Sequence, residues 1–239
     1  SPNHMHYGLH CQGKEHPFTD QRAELNAEAQ LNLLKEGAQR MQEWTGQHPV
    51  AFRAGNMGGS EETLKQLEAA NILIDSSYTF PYAGGQCLFS ANQPYNGSKW
   101  YGNVLELALS GFPQLRFPGL HPAKTLDLMG ISYQECRQAT ELICAAGAQA
   151  VMILHSFSLF KVRNKQFDGG RLNRINTTRF RKYCEWLASS GLPVYTFSDV
   201  AKAVADDTFR ACHVPPSRIR HPRALVRKAV QGWNNLYWT

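Results

Sequence analysis

Apolar runs alternate with amphipathic stretches along the chain, and the two patterns predict strands and helices in turn. The clearest apolar run is 151–154, which follows Gly147 and Ala148 and ends at His155. Four consecutive apolar residues suit a strand that is buried on both faces, which is typical of a parallel sheet. Further strands are predicted at 6–10, 50–54, 72–75, 103–109 and 194–197.

Helices are predicted between these strands, from apolar residues at helical spacing and from capping residues at the ends. The first covers 20–44 and stops at Gly46, and Ser60 caps the second. The motif Ser132-Tyr-Gln-Glu135 is a capping box that starts the third. A fourth ends at Gly191, a short fifth follows Ser198, and 79–102 is predicted as a long loop.

The alternation of strands and helices predicts an α/β fold, with parallel strands joined by crossover helices. About six strands are counted, whereas a closed barrel needs roughly eight. We therefore expect either an open sheet or a barrel that lacks one or two units at its N-terminal side. The 239 residues fit one large domain over 6–207, followed by a distinct segment over 208–239.

The net charge of +6 arises from the segment 208–239, which holds six Arg or Lys residues and no acidic residue. Its cations are mixed with Trp233, Tyr237 and Trp238, a composition that suits an anionic membrane surface or a partner protein. A helix packed back on the domain is the simpler interpretation, because no sharp face separates the charges. Nucleic acid is not an expected partner.

Composition places the chain among ordinary folded proteins. No apolar run approaches the roughly 18 residues that would span a bilayer. The six cysteines form no C-x-x-C pair, which favours reduced thiols in a cytoplasmic protein over a zinc ribbon. We expect a cytoplasmic location, with contact to the inner membrane through the basic segment, and the sequence leaves the oligomeric state open.

Polar side chains follow the predicted strands, where the working groups of α/β sheets and barrels gather. Two histidines, His10 and His16, lie close together and are candidate ligands of a divalent cation such as zinc. Glu106 lies in an apolar run and needs a partner, for which Arg53 and Arg116 are candidates. His155 either takes part in the chemistry of the site or only hydrogen-bonds a backbone carbonyl at the end of its strand.

Five pieces of the sequence, in order between Gly8 and Val204, resemble the polysaccharide deacetylase superfamily, and most of all its branch among bacterial surface-polysaccharide genes. They are Gly8-Leu-His10 with His16-Pro17, Phe52-Arg53-Ala-Gly-Asn-Met-Gly58, Asp75-Ser-Ser, Val104-Leu-Glu106-Leu and Ile153-Leu-His155. The resemblance implies an irregular (β/α) barrel that hydrolyses acetyl groups on an acetylated saccharide.

The same resemblance implies a role for each matching residue. His10 and His16 bind a divalent metal, zinc being the first choice, together with an Asp from an early strand. The metal polarises the acetyl carbonyl and lowers the pKa of its bound water. His155 is the general acid and Asp75 its acidic neighbour, while Arg53 orients a catalytic carboxylate.

No strand that carries the family's paired Asp residues is found before His6, so we expect a truncated or inactive chain. Two alternatives follow. One is a carbohydrate-binding or accessory protein that uses the aromatic residues of 79–102 as its platform. The other is a glycosidase that uses Asp75 and Glu106, which requires carboxyl groups roughly 5 to 9.5 Å apart.

Overall fold

The structure, a computed structural model, describes residues 26–90, 92–114, 122–162 and 170–219, together with Arg227 and Val230. Over this part of the chain it is a mixed α/β protein. Its α-helices are α1 (Ala27–Thr45), α2 (Glu61–Ala69), α3 (Tyr133–Ala145), α4 (Arg174–Ser190) and α5 (Phe197–Ala205).

The strands are short and form three separate sheets. They are β1 (Ile74–Asp75), β2 (Asn96–Tyr101), β3 (Val104–Ala108), β4 (Gly111–Pro113), β5 (Ala123–Thr125), β6 (Phe160–Val162), β7 (Gly170–Leu172) and β8 (His213–Val214). The main sheet has the order β1-β3-β2-β8, while β4–β5 and β6–β7 are two-stranded ribbons. Over the described ranges, these sheets do not close into a barrel.

Strand direction differs from the prediction of a parallel sheet. Only β1 and β3 pair in parallel among the named strands of the main sheet, whereas β2 runs antiparallel to both β3 and β8. A tight turn at Gly102 and Asn103 joins β2 to β3, and so short a connection allows only an antiparallel pair. The prediction of a loop over the whole of 79–102 is therefore wrong for Asn96–Tyr101.

Two predicted strands are reduced to single parallel bridges. Phe52 bridges to Asp75, and Asp127 bridges to Ile153. Within 151–154 only Ile153 is buried and the other three residues are half-buried, so the prediction of burial on both faces is wrong. These bridges still align the extended segments around 52, 75 and 106 side by side, running the same way.

The strand predicted over 194–197 is wrong. Val194 and Tyr195 are 71% and 68% exposed, so no sheet within the described residues covers them. Thr196 and Asp199 form a capping box, and helix α5 therefore begins at Phe197 rather than after Ser198. The ribbon β6–β7 lies where no strand is predicted.

The helix predictions are more accurate than the strand predictions, because a helix cap depends on residues only a few positions away. Ser60 and Ser132 both form capping boxes, and Gly46 and Gly191 end their helices in the left-handed conformation. The first helix begins later than predicted, at Ala27, because the Asn26 side chain accepts a hydrogen bond from the Ala29 N–H. The predicted start at residue 20 lies outside the described residues.

The core lies on both sides of the parallel pair β1–β3. One apolar cluster joins α1 and α2 to β3 through Leu34, Leu67 and Val104. On the opposite side, Ile74, Leu105 and Leu107 pack against α5. A separate cluster fills the space between α3 and α4. The carboxyl ends of β1 and β3 are thereby enclosed by apolar layers on both faces.

Parts of the segment 208–239 are joined to the domain. Strand β8 pairs with β2, and Ile219 is buried. Arg227 has a helical backbone conformation, and its side chain donates hydrogen bonds to Glu135 and Gln114. These contacts agree with the interpretation of a segment packed back on the domain. None of the described helices is long and apolar enough to cross a bilayer.

The described cysteines are free thiols, as expected from their spacing. They are Cys87, Cys136, Cys144, Cys184 and Cys212.

Candidate functional site

Arg53 lies at the end of the extended segment that bridges to β1. Its Nε donates a hydrogen bond to the Ser76 carbonyl over 3.0 Å, and its Nη2 donates to Ser76 Oγ over 2.9 Å. Ser76 Oγ in turn donates to the Leu107 carbonyl over 2.7 Å. Burial lowers the pKa of Arg53, while the nearby carboxyl groups of Asp75 and Glu106 oppose this shift. The guanidinium is thus held by the turn after β1.

The turn after Arg53 is strained. Asn56 and Met57 have φ angles of 48° and 59°, in the left-handed region that non-glycine residues avoid. Such residues cost about 1–3 kcal/mol each and persist only where the surroundings hold them. Here the Ala54 N–H donates to Ser77 Oγ over 2.8 Å, which fixes the start of the turn.

Asp75 ends β1 and is fully buried. Ser77 donates to it twice, from Oγ to Oδ1 over 2.7 Å and from the backbone N–H to Oδ2 over 3.2 Å. Because Ser77 Oγ also accepts from Ala54, the Asp75 carboxyl connects the turn after β1 to the segment that carries Arg53. Asp75 thus makes the hydrogen bonds of a turn residue.

Glu106 lies directly opposite Asp75 in the parallel pair β1–β3. Its carboxyl group is fully buried, is hydrogen-bonded to that of Asp75, and accepts the Tyr78 N–H at Oε1 over 2.9 Å. Burial raises the pKa of Asp75 and raises that of Glu106 well above its usual range. The expected partner Arg53 interacts with Glu106 only through space, and Arg116 lies outside the described residues.

The glycosidase alternative does not fit this arrangement. Its two carboxyl groups would need to flank a sugar at roughly 5 to 9.5 Å. Instead, Asp75 and Glu106 are in hydrogen-bond contact and neither side chain reaches solvent. No room remains between them for a glycosidic oxygen and a water molecule.

A second polar group contains Asp127 and His155. Asp127 follows β5 and bridges to Ile153, two residues before the exposed His155. Burial raises the pKa of Asp127, while the Met129 N–H, the His155 imidazole and Lys124 act in the opposite direction. The structure therefore places His155 within the electrostatic reach of a half-buried carboxyl group.

Asp127 was missed in the sequence. The expected acidic neighbour of His155 was Asp75, whose hydrogen bonds go to Ser77 and Glu106. A signal for Asp127 does exist, because it stands between Leu126 and Leu128, which are both fully buried. A carboxylate in an apolar run needs a partner, and the same argument singled out Glu106.

A metal site is not formed by the described side chains. Over residues 26–90, 92–114, 122–162 and 170–219, no three His, Cys, Asp or Glu residues lie close enough to hold a metal ion. The Asp75–Glu106 pair does not fit one either, because three of its four oxygens accept hydrogen bonds from Ser77 and Tyr78. The predicted ligands His10 and His16 lie outside the described residues.

The aromatic residues of 79–102 belong mainly to the core. Phe89 and Tyr95 are buried, and Tyr95 stacks on Tyr78 with ring centroids 4.4 Å apart. Tyr82 and Tyr101 pack against the same cluster. Trp100, on β2, keeps 41% of its surface exposed. A carbohydrate platform in this region would consequently depend on Trp100.

Comparisons with known proteins give one distant likeness. No protein-family model and no curated protein matches the chain. Among solved structures, the chain is similar to a "putative polysaccharide deacetylase" from Mycobacterium smegmatis, with 18% identity and a TM-score of 0.49. The match covers 92% of this chain and 71% of that one. This is the family that the sequence motifs resemble, but the likeness is too distant to assign a role to any residue.

Proposed function

We propose that this protein is a hydrolase of the polysaccharide deacetylase type, which removes acetyl groups from an acetylated saccharide with His155 as general acid. The observation that carries the proposal is the exposed His155 imidazole at the end of an extended segment, beside the half-buried Asp127 carboxyl. An irregular (β/α) barrel is proposed with it, from the motifs and from the parallel alignment of 52, 75 and 106.

The reaction requires a residue that donates a proton to the leaving group. When the tetrahedral intermediate collapses, His155 gives a proton to the departing nitrogen or oxygen of the sugar. A carboxylate next to an imidazole fixes its orientation. Asp127 takes this role, which the resemblance assigns to Asp75. Asp127 is thus a positioning residue.

Arg53 serves a separate purpose. Two of its N–H donors are used by Ser76, and a guanidinium carries five in all. The remaining donors orient an anionic group, which the resemblance gives as a catalytic carboxylate. The anchor on Ser76 keeps the guanidinium in place without competing for those donors.

The proposal includes a divalent metal, zinc, bound by His10 and His16. When bound, such an ion supplies an activated water and polarises the acetyl carbonyl. Metal analysis of the purified protein tests this part separately, with a His10→Ala, His16→Ala double variant as the control. Equal zinc content in both proteins would refute the ligand assignment.

The catalytic proposal is tested by acetate release from acetylated amino-sugar oligomers in the presence of zinc. We expect His155→Gln to lower kcat by roughly 100-fold or more, the usual contribution of a general acid. His48→Gln, at an exposed position after α1, is the matched control and should retain full activity. Equal rates in the two variants would exclude His155 as the acid.

A second candidate function is carbohydrate binding without hydrolysis, and the exposed Trp100 favours it. Aromatic side chains offer an apolar face on which a pyranose ring can stack. In that case calorimetry would detect binding of the oligomer without acetate release, and Trp100→Ala would weaken it. Acetate release by the wild-type protein would decide for the enzyme.

A further inference from the structure

The pair formed by Asp75 and Glu106 cannot carry two negative charges. The two residues are directly opposed across β1 and β3, their carboxyl groups are hydrogen-bonded, and neither is exposed. Two carboxylates at this separation repel each other strongly where water cannot screen them, so one of them keeps a proton. A hydrogen bond between carboxyl groups also requires a proton, because an ionised carboxylate only accepts.

The hydrogen-bond donors around the pair indicate which residue holds the proton. Asp75 accepts two hydrogen bonds from Ser77, one to each oxygen, and these stabilise its ionised form. Glu106 accepts only the Tyr78 N–H, at Oε1, and its buried Oε2 has no donor among the described protein groups. Glu106 is therefore the acid of the pair and Asp75 the anion.

When the pair holds one proton, its charge and the charges of its neighbours sum to zero. Arg53 is the neighbouring cation, and it interacts with both carboxyl groups while its hydrogen bonds go to Ser76. The other titratable neighbours are Tyr78, Cys87, Tyr95 and Tyr101, and burial raises the pKa of each, which keeps them neutral. One carboxylate and one guanidinium then make the buried cluster neutral.

We propose that Glu106 is a positioning residue that donates its carboxyl proton to Asp75 and thereby holds the turn at Ser76 and Ser77 that anchors Arg53. Asp75 fixes Ser77, Ser77 fixes Ala54, and Ser76 holds the guanidinium. A catalytic role for Arg53 rests on the proposed function. The assignment of the proton to Glu106 does not depend on it.

The test compares Glu106→Gln, which keeps a neutral donor of the same shape, with Glu106→Leu, which keeps only the volume. Glu141→Gln is the control, on an exposed residue of α3 paired with Arg137. In infrared difference spectra at neutral pH, wild type and the control should show the carbonyl band of an un-ionised carboxylic acid. Glu106→Gln should lack it, and a wild type without this band would overturn the proposal.

Unfolding as a function of pH gives a second readout. A raised pKa in the folded state means that stability is fully present below the ordinary value of 4.5 and is lost as the pH rises through the folded value. The wild type should lose this stability between acidic and alkaline pH, and Glu106→Gln should lose less. Identical profiles for wild type and Glu106→Gln would contradict a proton on Glu106.

Activity separates the two proposals. If the protein releases acetate, Glu106→Gln should keep most of kcat, and Glu106→Leu should lose roughly 10- to 100-fold through displacement of Arg53. Equal kcat values would refute the positioning role. If the wild type releases no acetate, the proposed function fails, and the infrared band and the pH profile of Glu106→Gln still decide the role of Glu106.

Discussion

Two buried glutamates of this protein are stabilised in opposite ways. Glu106 faces another carboxyl group, whereas Glu135 accepts a hydrogen bond from Arg227 over 2.7 Å. The other oxygen of Glu135 accepts the Ser132 N–H and hydroxyl, both over 2.8 Å. Glu135 is therefore an anion whose lone pairs are satisfied, and it joins a helix cap to the C-terminal part of the chain.

Replacement of Arg227 by Leu should leave the Glu135 carboxylate buried without its cation. We expect Arg227→Leu to lower the free energy of unfolding by about 3 kcal/mol, the usual result of removing one partner of a buried ion pair. Urea unfolding measures this value. Arg137→Leu is the control, because its pair with Glu141 on the same helix is about half exposed. It should cost much less, because solvent screens an exposed ion pair, and equal losses would contradict the argument.

Asp127 should make the stability depend on pH. Because its folded-state pKa is raised by burial, its contribution is fully present below about 3.8 and is lost as the pH rises through the folded value. Relative to Asp127→Asn, the wild type should be more stable near pH 4 than near pH 8. Guanidinium unfolding at several pH values measures the difference.

Asp199 is the control for this pH effect. Its pKa is lowered by hydrogen bonds from Thr196, so its contribution is fully present above 3.8. The difference between wild type and Asp199→Asn should therefore stay constant above pH 5. A constant difference for Asp127→Asn as well would mean that burial does not raise the pKa of Asp127.

Candidate residues could be predicted one at a time, but their partners could not. Arg53, Asp75, Glu106 and His155 were all identified because polar residues at the ends of apolar runs are conspicuous. The contact of Asp75 with Glu106 depends on the register of β1 against β3, and no local pattern encodes that register. The anchor of Arg53 was also not predictable. Its hydrogen bonds go to Ser76, an ordinary turn residue, rather than to the expected partner Glu106.

At the scale of the elements, the turn between β2 and β3 depends on a glycine. Gly102 has a φ angle of 59°, and a Cβ at this position would lie 3.4 Å from Glu68 Oε2, so backbone strain rather than a clash opposes substitution. We expect Gly102→Ala to lower the free energy of unfolding by about 1 kcal/mol, the cost of a left-handed conformation. Thermal unfolding measures it.

Gly37 provides the matched comparison. It lies inside α1, and nothing within 4 Å would meet an added Cβ. Gly37→Ala should therefore raise the free energy of unfolding by about 1 kcal/mol, because alanine is the better helix former. If both substitutions shift the stability in the same direction, the turn geometry assigned to Gly102 is wrong.

Local signals explain which elements were predictable. Capping boxes and C-terminal glycines act within a few residues, so the starts of α2 and α3 and the end of α4 follow directly from the sequence. The run 194–197 is rich in β-forming residues, yet nothing in the described part of the chain pairs with it. Strand propensity describes a half-buried surface, and without a neighbouring strand it has no effect.

At the scale of the whole molecule, the alternation of strands and helices correctly predicted a mixed α/β protein, but it wrongly predicted an all-parallel sheet. The antiparallel additions were not predictable, because β2 lies in a stretch rich in Gly and Asn, and its partner β8 is far away in the sequence. The boundary at 207 was drawn from charge composition, and composition does not indicate which residues pack together.

The chain beyond residue 207 should be needed for stability. Strand β8 lies against β2, where Ser98 donates to the Cys212 carbonyl over 2.8 Å and accepts the Cys212 N–H over 3.1 Å. A chain that ends at Asp207 would lose these bonds, the buried Ile219 and the Arg227 ion pair. Burial of the Ile219 side chain is worth about 2 kcal/mol. Loss of Arg227 from its ion pair costs about 3 kcal/mol, and together these are a large share of the free energy of unfolding of a typical protein.

We therefore expect the chain that ends at Asp207 to be insoluble or to melt well below the 239-residue chain in circular dichroism. A chain that ends at Ile219 should fall between the two, because it keeps β8 but not Arg227. Gly97→Ala tests the β8 contact within the intact chain, since a Cβ there would clash with the Cys212 carbonyl oxygen. The substitution should displace β8 and lower the melting temperature. If residues 1–207 melt like the full chain, the segment 208–239 is an independent tail, and the contacts of β8 and Arg227 contribute nothing to the fold.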